Sequence, residues 1–70
     1  MSMDEREKLK LMLAHWVEHN REHGEEFREW AEKARAMGEA GAADEILAAA
    51  RAMDEAGNLL TKSRERLEVA

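Results

Sequence analysis

Met37-Gly38-Glu39-Ala40-Gly41-Ala42 is the stretch that decides how this chain folds. It is the one convincing interruption in a sequence built of helix formers. Ala, Glu, Arg, Leu, Met and Lys dominate, proline and tyrosine are absent, and β-branched residues are few. Gly38 suits the left-handed position that follows a helix end, and Asp44 is placed to help start a second helix. A linker spanning 38–41 is too short for anything but antiparallel neighbours. The chain therefore reads as all-α: one domain over 1–70, an antiparallel two-helix hairpin. Its helices are expected over about 3–37 and 42–67, joined by a turn at 38–41.

Upstream of the turn, Leu9, Leu13, Trp16, Asn20, His23, Phe27, Trp30, Ala34 and Met37 alternate spacings of four and three residues, a heptad-like seam. Downstream, Ile46, Ala49 or Ala50, Met53, Ala56 or Gly57, Leu60, Ser63 and Leu67 repeat the pattern. Folding the chain at the turn sets Trp30 against Ala49 and Ala50, and Phe27 against Met53. His23 then lies near Ala56 and Gly57, Asn20 near Leu60, and Trp16 near Ser63. Ser2 and Glu5 have capping-box spacing for the start of the first helix. Gly24, inside that helix, marks a close helix approach, because glycine there costs about 1 kcal/mol against alanine.

Seventy residues without cysteine make a small core with no disulfide to reinforce it. Two helices alone leave the flanks of their apolar stripes wet, so association into a four-helix bundle, as a homodimer or higher oligomer, is expected. Leu13, Trp16, Asn20, Phe27, Trp30, Met53 and Leu60 are the candidate core and interface residues. A net charge of −5 with Lys and Arg scattered among Glu argues against nucleic acid and against an anionic membrane surface. No apolar run approaches a membrane span, and the first residues lack a signal peptide's pattern, which leaves the cytoplasm as the default compartment.

All the histidines fall in His15-Trp16-Val17-Glu18-His19-Asn20-Arg21-Glu22-His23, four residues apart. Imidazoles one helical turn apart can grip one Zn²⁺, Ni²⁺ or Co²⁺ ion. His19 and His23 are the preferred pair, with Glu22 or Glu26 assisting and His15 after them. The Glu-x-x-His motif of bundle di-iron sites is missing, since Met12, Trp16 and Asn20 precede the histidines by three. The plainer reading makes Asn20 and His23 one polar layer of the seam that fixes register, with His15 and His19 on the surface. No nucleophile, phosphate-cradling loop or substrate-sized cleft is legible, so an enzyme is not expected and no resident cofactor is required.

The run from His15 to His23, with Phe27, Trp30 and Ala31 after it, resembles a small family of uncharacterised prokaryotic helical-hairpin domains. That family shows an H-W-x-x-H-N-x-x-H segment, then F-x-x-W-A, a glycine-containing turn and an alanine-rich second helix. The resemblance runs from about Leu9 to Leu67. It implies no activity; similar segments accompany nickel or cobalt transport proteins, which favours the metal reading of the histidines. The leading expectation is a non-enzymatic interaction or self-assembly module that docks to itself or to a helical protein partner. The alternative is a transition-metal-binding accessory protein.

Overall fold

The computed structural model describes residues 4–69. Two helices account for nearly all of them: α1, Glu5–Ala36, and α2, Ala40–Val69, packed side by side. Asp4 caps α1, its carboxylate accepting from the Glu7 amide at 2.8 Å, with Glu5 and Glu7 in the positively polarised first turn. The cap is thus Asp4; Ser2 and Met3 lie outside the described residues.

The turn is tighter than expected. Gly38 has φ +86°, the left-handed conformation that an L side chain disfavours. The Gly38 amide donates to the Arg35 carbonyl at 3.0 Å and the Glu39 amide to the Ala34 carbonyl at 2.9 Å, which closes a Schellman motif. The Glu39 carbonyl already accepts from Ala43 at 2.9 Å, so α2 begins at Ala40 and Gly41 belongs to its first turn. Asp44 takes no part in starting α2; it pairs with Arg35 across the turn at 2.7 Å.

The seam between the helices is built from small residues. Leu13, Gly24 and Ala31 of α1 and Ala43 and Ala50 of α2 are buried, and Val17, Asn20, Phe27, Ala34, Ile46, Met53, Gly57 and Leu60 are half-buried. Among the described residues no large side chain is fully buried. This corrects the expected face. Trp16, His23 and Trp30 are each displaced from the seam by the next residue along the chain: Val17, Gly24 and Ala31. The reason is steric. Helices that meet on Ala31, Ala43 and Ala50 approach too closely to hold an indole between them.

The register also differs, by about one turn. Asn20 reaches Met53 and Gly57, where Leu60 was expected, and Gly24 sits beside Met53. Ala49 and Ser63 are exposed and do not line the seam. The open end of the hairpin is tied by Arg6, whose guanidinium donates to the Leu67 carbonyl at 2.9 Å. The result is a plate 55 × 21 × 11 Å, a single helix layer thick. Its radius of gyration, 16.1 Å, exceeds the roughly 11 Å of a compact chain of this length.

Candidate functional site

One broad side of the plate is polar. Arg21, Arg28 and Arg35, seven residues apart on α1, pair in turn with carboxylates: Arg21 with Glu18 and with Glu25 at 2.7 Å, Arg28 with Asp54, and Arg35 with Asp44. Hydrogen bonding and charge from Arg21 hold the exposed Glu18 carboxyl below the ordinary range, and Glu18 in turn raises the Arg21 guanidinium. The sequence carries the heptad spacing of these arginines; Arg28 and Arg35 meet acidic residues of α2, and Arg21 those of its own helix.

The same side opens onto a shallow cleft of about 270 Å³ lined by Val17, Asn20, Met53, Gly57 and Thr61, among others. The Asn20 amide crosses the seam here and donates to the Met53 main-chain carbonyl. Gly57, one turn after Met53, makes that reach feasible: a Cβ at 57 would lie 3.1 Å from Asn20 Nδ2. At Gly24, by contrast, an added Cβ would meet Met53 Cβ at an ordinary 3.7 Å. The close approach therefore belongs to Gly57 and not to Gly24.

The other broad side carries the two tryptophans. Leu9, Trp16, His23, Trp30 and Met37 are spaced seven residues apart, one strict heptad row beside the seam. Trp16 is 41 % exposed and Trp30 50 %, and Leu9, Met12 and Met37 are exposed as well. Leu9 and Met12 share an open cleft with Leu67 of α2, which places the row on this side of both helices. Lys33 lies over the Trp30 ring, its Nζ 4.3 Å from the centroid.

The histidines form an exposed ladder on the outer flank of this row. The His15 and His19 rings lie 4.3 Å apart by centroid, His19 and His23 5.9 Å, and His23 and Phe27 6.4 Å. His23 does not enter the seam: its side chain is 52 % exposed and its Nδ1 lies 4.0 Å from Glu26. The polar layer in the seam holds Asn20 without His23. Glu22 and Glu26 are exposed on the same stretch. Among the described residues no three His, Asp or Glu side chains converge as a ready-made metal shell.

A family model described as Domain of unknown function (DUF8180) matches residues 9–67. The chain belongs to the DUF8180 family. The DUF8180 match takes in both helices from Leu9 to Leu67, and with them the seam, the arginine ladder, the histidine ladder and the aromatic row. No curated protein and no solved structure matches the chain. Among the described residues no helix is long and apolar enough to cross a membrane.

Proposed function

We propose that this DUF8180 chain is a non-enzymatic self-assembly module whose aromatic side docks onto another helical surface. One observation carries the reading: the plate is a single layer, with a heptad row of large half-exposed side chains on one side and ion pairs on the other. Stable domains bury their apolar faces between at least two layers, and the second layer is missing here. Exposed patches of this kind mark interaction surfaces. Four helices packed around the row would bury it from both directions.

Light scattering during gel filtration tests this directly. The expected mass is about 16 kDa, twice the 8.0 kDa of the chain. Trp30→Glu, which places a charge in the row and touches nothing in the seam, is expected to return the mass to that of one chain with helicity retained. A wild-type chain that runs as a monomer at tens of micromolar sinks the proposal.

A second reading draws on the spacing of the imidazoles. Metal–nitrogen bonds of about 2.0–2.1 Å let two rings one turn apart share an ion, and His19 neighbours both His15 and His23. A Zn²⁺, Ni²⁺ or Co²⁺ ion held by His19 and His23, with Glu22, Glu26 or His15 assisting, would make the protein a metal-binding accessory. Titration with Ni²⁺ or Zn²⁺ should then raise the melting temperature, and His19→Ala should abolish the rise. An unchanged melt removes this reading and leaves the first untouched.

A further inference from the structure

We propose that the aromatic side is covered by a second copy of the chain, α1 lying antiparallel on α1, with a twofold axis passing between the two His23 residues. The inference rests on the self-assembly reading above and adds its occupant, orientation and register.

The row itself is the first ground. Read from either end, Leu9-Trp16-His23-Trp30-Met37 runs apolar, indole, imidazole, indole, apolar. A twofold interface is self-complementary: if residue i meets j, then j meets i. Antiparallel pairing centred on His23 sets Trp16 on the partner's Trp30, and Leu9 on the partner's Met37, on both halves of the interface at once. Offset or edge-on indole pairs of this kind are favoured over isolated rings. A strict seven-residue spacing also keeps the row facing a partner helix over its whole length, which a 3.6-residue helix does only when it supercoils with another.

The area is the second ground. The chain exposes 5522 Å², whereas a compact protein of its mass exposes about 4,450 Å². The excess, about 1,000 Å², is of the size each partner buries in a standard interface, about 800 Å². A broad side measuring 55 by 21 Å can supply it.

The second helix agrees with the axis. Gly24 is level with Met53, so the axis that passes His23 crosses α2 close to Asp54. Ala52 and Ala56 straddle that level, and small side chains there let the second helix of each copy stack on its mate. The opposite side is less suited, because twofold docking there would strip water from the paired arginines and carboxylates of both copies.

The chain has no cysteine, which makes disulfide trapping clean. Leu9→Cys, His23→Cys and Met37→Cys are made singly, at exposed positions, and oxidised in a glutathione buffer after the mass has been read by light scattering. His23→Cys alone should cross-link more than half the chains. Leu9→Cys alone should not, since its two copies would lie about 40 Å apart along the helix, beyond the roughly 7 Å a disulfide tolerates. The same holds for Met37→Cys alone. Unfolding and refolding the two variants together should produce a Leu9–Met37 cross-link that neither gives by itself. Self-cross-linking of Leu9→Cys and of Met37→Cys, with no gain on mixing, would mean parallel pairing and overturn the proposal. A dimeric mass with no cross-link at any position would mean that α1 does not face α1, and overturns it too, with self-assembly intact. A monomeric mass removes both.

Discussion

Gly24 and Gly57 provide opposed tests of how the two helices meet. Both are interior helical glycines, so replacing either with alanine should gain about 0.8–1 kcal/mol of helix propensity. At position 24 nothing offsets that gain, because the new methyl would sit 3.5 Å from the flexible Arg28 guanidinium and 3.7 Å from Met53 Cβ. At position 57 the methyl would press on Asn20 Nδ2 at 3.1 Å and push the amide off the Met53 carbonyl. Losing that hydrogen bond costs about 0.5–1.5 kcal/mol, and a part-buried amide left unpaired adds to it. Gly24→Ala should therefore stabilise by nearly 1 kcal/mol, while Gly57→Ala is neutral or destabilising by about 0.5 kcal/mol. In a domain of this size 1 kcal/mol moves the melting temperature by about 4–8 °C. Circular dichroism melts at one fixed protein concentration resolve such a gap and remove any concentration effect of assembly. The control is Asn20→Ala: in that background Gly57→Ala should recover its full propensity gain. Equal stabilisation by both glycine replacements in the wild-type chain would refute the Asn20 contact and the register built on it.

Gly38→Ala forces a methyl group into the left-handed conformation and should cost about 1–2 kcal/mol in the same melts. Arg28→Ala removes an exposed cross-helix pair with Asp54 and should cost less than about 1 kcal/mol, with the difference shrinking as salt is added. The Glu18 carboxyl has its folded value depressed by Arg21, so its small contribution is complete above the unfolded carboxylate range and fades as pH falls through the lowered value. In an NMR titration, Arg21→Ala should move the Glu18 midpoint upward; an unmoved midpoint would show that the pair is not formed in solution.

The hairpin was readable because Gly38 supplies the left-handed residue that favours a helix end, and nothing else in the chain ends the helical periodicity. Which face of α1 turns inward was much harder to read. Two apolar rows run along it one residue apart, Leu13-Val17-Gly24-Ala31 and Leu9-Trp16-His23-Trp30, and hydrophobicity favours the second. What decides between them is α2, whose Ala43, Ala50 and Gly57 accept only a slim partner. That preference is visible only when the two helices are considered together. The one-turn difference in register goes with the same slim seam: Asn20 lies against Met53 and Gly57, and Gly24 beside Met53, a match that pairing large with small side chains along the sequence does not reveal. Of the histidines only His23 was misplaced, with the tryptophans whose row it shares; His15 and His19 lie on the surface as read. The arginine ladder was overlooked because each of its members reads singly as a solvated charge.

Arg6 fastens the end of the plate opposite Gly38, so the chain enters at Asp4 and leaves at Val69 from the same pole. Anything joined to either terminus, whether a fluorophore, an affinity tag or a neighbouring domain, must emerge there, some 55 Å from the bend. Anchored by one terminus to a bead or a sensor surface, the molecule would stand like a post, its glycine tip outermost and both flat sides open to whatever flows past.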